Sequence, residues 1–184
     1  MRLKRVVLLG CIIGVIFVIS LFAGCKRING VDMKLHDSFI TLLNALEQEA
    51  PDGLCLKIYY LDPSILTRAP LTTEDLINFP GVKEIIVDCQ HLKEHVDLLN
   101  QMKADNLVPV KNSSNLNARL CYIFETNSDG KILEIAAGGA KNSVFVNGIE
   151  VEYNDLFRNV IIPFLTDEEL IDVEHIFAGE YYKK

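Results

Sequence analysis

The residues with the most obvious chemical capacity lie in one short string, His91-Leu92-Lys93-Glu94-His95. On a continuous helix, residues four apart share a face, so two imidazoles at this spacing can bind one zinc ion. A carboxylate beside them, here Glu94, can deprotonate a metal-bound water molecule. The string therefore makes His91 and His95 the candidate metal ligands of the chain.

The H-x-x-E-H order resembles that of inverted zinc peptidases, but only in these five residues. Those enzymes are far larger and take another carboxylate ligand from a second helix, which we cannot place in this chain. His95 also lies between Leu92 and Leu99 along an apolar helical stripe, as a residue at the rim of a core does. We therefore predict no metal and no cofactor, and we keep the two histidines as the site of an alternative function, a small envelope hydrolase.

Cysteine thiols offer a second kind of chemistry. Cys89 lies two residues before His91, and if a helix begins at Asp88, the amides of its first turn can lower the thiol pKa. Cys55 and Cys121 have apolar neighbours on both sides, as buried thiols usually do. Three thiols allow at most one intramolecular disulfide. We expect all three to be structural, with a bridge between two of them and a nucleophilic Cys89 as the alternatives.

Other common catalytic patterns are absent from the sequence. It contains no G-x-S-x-G, no glycine-rich phosphate loop and no C-x-x-C. Serine hydrolase, nucleotide-binding and thioredoxin-like functions therefore lack their minimal motifs. The acidic run from Asp167 to Glu169 is expected to stabilise a helix N-terminus and not to bind a cation.

The start of the chain has the pattern of an export signal. Arg2, Lys4 and Arg5 precede an uncharged, mostly apolar run from Val6 to Ala23. A membrane-spanning helix needs about 20 apolar residues, so this run lies near the lower limit for spanning. Its length alone does not separate a cleaved leader from a helical anchor.

The run ends in Leu21-Phe22-Ala23-Gly24-Cys25, which resembles the lipobox of bacterial lipoprotein precursors. The resemblance implies cleavage between Gly24 and Cys25 and a diacylglyceryl group on the Cys25 sulfur, which would hold the protein at the extracytoplasmic face of the cell membrane. Two acyl chains suffice for stable anchoring. An uncleaved helical anchor is the alternative, and it too would hold the domain at a membrane surface.

The exported part is acidic. Without residues 1–24, which carry three basic and no acidic residues, the chain keeps 15 basic and 25 acidic residues, a formal charge of −10. Such a surface repels phosphate backbones and anionic lipid head groups. We therefore predict no nucleic-acid partner, and we expect the lipid and not surface charge to hold the protein at the membrane.

Apolar periodicity and capping residues predict helices at both ends of the domain and between its strands. They are expected from about Asp32 to Gln48, from Asp88 to about Ala104, and from Asn154 to Phe164 with a kink at Pro163. Thr72 and Thr166 each begin a capping box for a further helix. Pro80-Gly81 should end the first of these helices, and Gly179 the second.

Strand signals fill the remaining sequence. Leu54–Leu61 and Val82–Val87 read as strands, and two hairpins follow between about Ala118 and Tyr153. A four-residue loop from Asn127 to Gly130 would place Tyr122 opposite Ile135 and Phe124 opposite Leu133. A two-residue turn at Asn147-Gly148 would pair Val146 with Ile149 and Val144 with Val151.

These elements predict one α+β domain over residues 32–180, following a signal peptide (1–24) and a lipidated tether (25–31). Its sheet should be largely antiparallel and covered by helices, with two C-terminal hairpins and one or two earlier strands. The function we expect is a membrane-tethered, non-catalytic binding module that contacts an envelope protein or cell-wall partner. A small-molecule-binding lipoprotein of a transport system is a further possibility, which the size of the domain disfavours.

Overall fold

A computed structural model describes residues 30–47, 53–102, 107–139 and 141–180, with side chains from Leu35 onward. Gly24, Cys25 and the whole predicted leader lie outside these residues, so lipid attachment stays a prediction. Among the helices that the structure does describe, none combines the length and the apolar character that crossing a membrane requires.

Six antiparallel strands form a single open sheet in the order β2-β1-β3-β4-β5-β6. The predicted α+β class is confirmed, and both early strands belong to the sheet with the two hairpins. The strands are β1 Cys55–Tyr60, β2 Lys83–Asp88, β3 Leu120–Thr126, β4 Gly130–Ala137, β5 Val144–Val146 and β6 Ile149–Val151.

Helices precede, interrupt and follow the strands. Within the described residues they are α1 Gly30–Glu47, α2 Thr73–Ile77, α3 Cys89–Glu94, α4 Val96–Gln101, α5 Leu156–Asn159 and α6 Asp167–Ala178, with a 3-10 turn at Ile162–Phe164. Both predicted capping boxes are present. The side chains of Thr72 and Thr166 accept a bond from the third helical amide, and their own amides donate to the carboxylates of Asp75 and Glu169. Pro163 lies in the 3-10 turn, which is where the predicted kink falls.

The larger core lies on the helix-covered face of the sheet. Alternate residues of β1 point there, and Leu56, Ile58 and Tyr60 are all fully buried. Tyr122 on β3 is also buried, and its hydroxyl donates a hydrogen bond of 2.7 Å to the carbonyl oxygen of Phe157. Because a buried hydroxyl without a partner costs free energy, this bond fixes the position of α5 over the sheet.

The first C-terminal hairpin has the predicted side-chain pairs but a different turn. Phe124 lies opposite Leu133 as expected, whereas Thr126 pairs with Gly130, so the loop has three residues and not four. Gly130 adopts φ +67, the left-handed conformation that such a loop requires. A bulge that leaves Ile132 without a partner restores the register within the hairpin.

The second hairpin matches its prediction. Val146 pairs with Ile149 and Val144 with Val151. Asn147 and Gly148 have φ values of +48 and +78, as a type I′ turn requires at both central positions.

The predicted helix from Asp88 to Ala104 is wrong as a single helix. Asp88 does cap its start, where its side chain accepts from the His91 amide, but α3 ends at Glu94. His95 has φ −118 and ψ 20 and forms the junction with α4. Its ring makes an edge-to-face contact with Phe164, with centroids 5.3 Å apart, so packing against the 3-10 turn overrides the helical periodicity of this segment.

The second face of the sheet carries a smaller apolar cluster. It includes Tyr59, Cys121 and Phe145 from the strands, and Leu71 and Leu76 from the chain between β1 and β2. Elsewhere this face is mostly polar, with Ile86 exposed on β2. The smaller cluster therefore depends on a connecting segment with one short helix, and not on long amphipathic helices.

Candidate functional site

The two candidate metal ligands do not share a helix. His91 is exposed on α3, and its Nδ1 lies 2.9 Å from Oδ1 of Asp88. That contact raises the pKa of His91. The His91 backbone amide also donates to Asp88, and the amide and imidazole bonds together lower the pKa of Asp88. His95 lies against Phe164. The helix break removes the i, i+4 geometry on which the zinc hypothesis depends.

The other possible metal ligands of the described chain are also dispersed. No three residues among its histidines, cysteines, aspartates and glutamates are grouped so that they could hold a metal ion. Glu94 is exposed at the end of α3.

The three candidate thiols are all free and occupy different environments. Cys121 is buried in the smaller cluster, and burial raises its thiol pKa. Cys55 is half-buried, and its Sγ lies 3.8 Å from Oε1 of Glu125. Burial first, and then this carboxylate, raise the pKa of Cys55. Both effects favour the neutral thiol, which is a poor nucleophile. Cys89 is half-buried at the start of α3.

An open groove of about 480 Å³ lies beside the second face of the sheet, between the chain before α2 and the chain after it. This volume is within the range of pockets that bind small ligands or side chains. Its lining combines apolar groups with carboxylates and an amide. The lining residues are Ala69, Pro70, Leu71, Glu74, Asp75, Asn78, Phe79 and Pro80.

Two polar side chains, the buried Arg119 and the half-buried Asn117, hold the chain at and before the groove. Arg119, which is 1% exposed, donates bonds of 2.9 Å to the carbonyl oxygen of Ile65 and to Oγ1 of Thr67. The amide of Leu71 donates to Oδ1 of Asn117, at 3.1 Å. The Arg119 guanidinium restrains the segment that leads into the groove, and the Asn117 bond restrains Leu71 in its lining.

The groove has an acidic rim. Asp75 accepts bonds from the hydroxyl and amide of Thr72, which lower its pKa and keep it charged. Glu74 beside it is exposed. Two carboxylates next to the ring of Phe79 favour a cationic or hydrogen-bond-donating group in the groove.

A second polar cluster joins the segment before β3 to the second hairpin. Oε1 of Glu150 accepts bonds of 2.9 Å from both Ser114 and Ser143, and the other carboxylate oxygen accepts from the Ser114 amide. The two serine hydroxyls lie 3.1 Å apart. Both carboxylate oxygens of Glu150 are occupied by these serines, which join two segments of the chain, so we assign this cluster a structural role.

None of these groove and cluster residues was singled out as a site by the sequence. Arg119 and Asn117 carry no recognisable motif, and their partners lie about 50 residues away along the chain. Pro80 was interpreted only as a helix stop. The available signal was the pair of prolines that border a capped helix, Pro70 and Pro80, which together indicate a rigid connection.

No protein-family model, no curated protein and no solved structure matches this chain.

Proposed function

We propose that this protein is a membrane-tethered, extracytoplasmic lipoprotein whose domain is a non-catalytic binding module of the bacterial envelope. The open groove between Ala69 and Pro80 is the observation that carries the binding role. The lipobox-like sequence ending in Cys25 supports the tether. Anchoring raises the effective concentration of a binding domain towards partners at the same surface without any new contact.

The tether is tested by mass spectrometry of the full chain made in a bacterial host. We expect a product that begins at Cys25 and carries a diacylglyceryl group, and a Cys25→Ser variant that keeps its leader. An intact leader with an unmodified Cys25 thiol in the soluble fraction would contradict the proposal.

The groove is tested by placing a photo-crosslinking residue at Glu74, with Asp97 on α4 as an equally exposed acidic control. We expect discrete adducts with envelope proteins or cell-wall fragments from position 74 in intact cells, and their loss when Phe79 is also changed to Ala. Equal adducts from both positions would remove the groove from the proposed function.

The alternative envelope hydrolase is separated by two measurements on the purified full chain. Elemental analysis tests for zinc, and a stoichiometric ion that is lost on changing His91 and His95 to Ala would favour the hydrolase. Thiol labelling at neutral pH tests Cys89 against Cys55, whose neutral thiol should react slowly. Unusually fast labelling of Cys89 would also favour the hydrolase.

A further inference from the structure

The two edge strands of the sheet, β6 and β2, differ in whether another segment of the described chain pairs with them. At the β6 edge, the chain just before the hairpins adds a bridge between Pro109 and Val151. There the Val110 amide donates to the backbone carbonyl of Glu150 at 2.9 Å, and the Glu152 amide donates to the backbone carbonyl of Val108 at 2.8 Å. At the other edge, β2 pairs with β1, and no strand of the described chain covers its outer side. No described strand therefore pairs with the outer backbone groups of β2, and an edge strand of this kind can pair with another chain.

The side chains of β2 alternate in a distinctive way. Glu84, Ile86 and Asp88 share the second face of the sheet, and all three are exposed. Ile86 is 62% exposed in the centre of the strand. Charges at the ends of an edge strand usually protect it from pairing, but an exposed isoleucine between them does not serve that purpose.

The opposite side of the same edge also presents an apolar group. Lys83 donates a bond of 3.0 Å to Asp172 on α6, which fixes this helix beside β2. The residue before it, Ile171, is 57% exposed. Two of the five exposed large apolar side chains of the described residues thus lie at or beside the uncovered edge.

Charge decides what kind of strand can pair here. A second copy that pairs antiparallel with Ile86 opposite Ile86 would place Glu84 opposite Asp88, and like charges directly opposite each other are destabilising. Pairing centred on Ile85 would instead press Glu84 against the isoleucine of the other copy. That removes water from a carboxylate whose hydrogen-bond partner, the Tyr59 hydroxyl, is uncharged. A strand with basic, apolar and basic residues in alternation would place a positive charge opposite each carboxylate, in addition to their existing bonds with Tyr59 and His91, and would cover Ile86.

We propose that β2 is a docking edge for an extended polypeptide segment with alternating basic and apolar residues, bound as a seventh antiparallel strand. Main-chain hydrogen bonds supply affinity in this mode, and the alternate side chains supply specificity. The acidic balance of the chain adds long-range attraction for a basic segment. The inference rests on the proposed binding role but uses a surface separate from the groove.

The test uses the full chain in a non-ionic detergent and a fluorescent peptide of alternating lysine and valine. We expect saturable binding, with slowed amide hydrogen exchange across β2. The matching peptide of glutamate and valine should bind at least tenfold more weakly.

Two variants on β2, Ile86→Lys and Glu84→Lys, and one control locate the site. Ile86→Lys should lower the affinity for the lysine-valine peptide at least tenfold, because it adds a like charge and removes the apolar contact. The control is Glu152→Lys, which changes the charge as Glu84→Lys does, but at the β6 edge. We expect a tenfold loss of peptide affinity for Glu84→Lys and less than a twofold change for Glu152→Lys.

Several outcomes would overturn the inference. One is peptide binding without slowed amide exchange in β2. Another is an equal loss of peptide affinity in Glu84→Lys and Glu152→Lys. A third is slow amide exchange in β2 without peptide, in a dimer that Ile86→Lys dissociates. Crosslinking from Glu74 that persists in Ile86→Lys would show that the groove functions independently of the edge, whereas absent peptide binding in the native chain would remove the edge alone. The two proposals can therefore fail separately.

Discussion

The two faces of the sheet are built by different means. The helix-covered face buries a continuous core under α1 and the later helices, and its members come mostly from regular alternation in strands and apolar stripes in helices. The second face has a smaller cluster, a connecting segment fixed by Arg119, and ion pairs such as Lys57 with Glu125. The first face provides stability, whereas the second presents the groove and the exposed acidic edge.

The largest expected effect is a loss of stability, and it is tested by the same substitution on both faces. Ile58 is fully buried on the helix-covered face, and Ile123 is 7% exposed in the smaller cluster. Truncation of a buried isoleucine to Ala costs about 2–5 kcal/mol, depending on how far the site can collapse. We expect Ile58→Ala near the upper end and Ile123→Ala near the lower end, as measured by urea unfolding. Equal losses would mean that the smaller cluster is as tightly packed as the main core.

A pair of glycines tests how rigid the second face is at its loops. Gly138 has φ +143, and an added Cβ would lie 2.2 Å from the carbonyl oxygen of Asn117, next to Arg119. Gly130 also has positive φ but open space around it. Strained backbone costs about 1–3 kcal/mol per residue. We expect Gly138→Ala to lose about 3 kcal/mol and Gly130→Ala about 1 kcal/mol in thermal or urea unfolding.

If the two alanine variants lose similar stability, the chain near Asn117 moves to accommodate the methyl group. The groove wall, which Asn117 helps to hold, would then be adaptable and not preformed.

The two capping boxes give a smaller comparison. Thr166 caps α6 on the helix-covered face, and Thr72 caps α2 at the groove. Loss of a threonine cap costs about 1 kcal/mol in either place. We expect Thr72→Ala also to increase amide exchange over α2, whereas Thr166→Ala should leave exchange in that helix unchanged. Loosening of α2 in both variants would mean that the faces are energetically coupled.

The smallest expected effect comes from an exposed ion pair, Asp88 with His91. The pKa of Asp88 is lowered chiefly by the His91 amide, and that of His91 is raised by the Asp88 carboxylate. The Asp88 contribution is complete above about pH 4 and is lost as pH falls through its lowered pKa. The His91 contribution is complete below about pH 6.5 and is lost as pH rises through its raised pKa.

Both contributions to stability are therefore present together between about pH 4 and pH 6.5. An NMR titration of the His91 ring should give a midpoint above that of an ordinary histidine. Asp88→Asn keeps a capping oxygen but removes the charge, and we expect it to return the midpoint to the ordinary range. An unchanged midpoint would show that the ion pair is absent in solution.

The sequence was sufficient where local patterns and tertiary packing agree. The register of the second hairpin followed from its turn residues and alternation, and both capping boxes followed from spacing alone. The side-chain pairs of the first hairpin followed from alternation, although its turn is one residue shorter than predicted and a bulge compensates. It failed at His95, because the contact with Phe164 connects residues 69 positions apart and interrupts a pattern that looks helical. The groove was missed for a related reason, since Arg119 and Asn117 act on distant backbone that no local pattern reveals.

The bulge at Ile132 has a consequence for how much variation the molecule tolerates. In a regular strand, Lys131 and Glu134 would lie on opposite faces, yet their side chains meet at 2.7 Å, and Ile132 and Leu133 both contribute to the main core. The extra residue thus absorbs a change of one residue in the neighbouring loop. The tip from Asn127 to Gly130 can gain or lose one position while the groove and the uncovered edge keep their alignment.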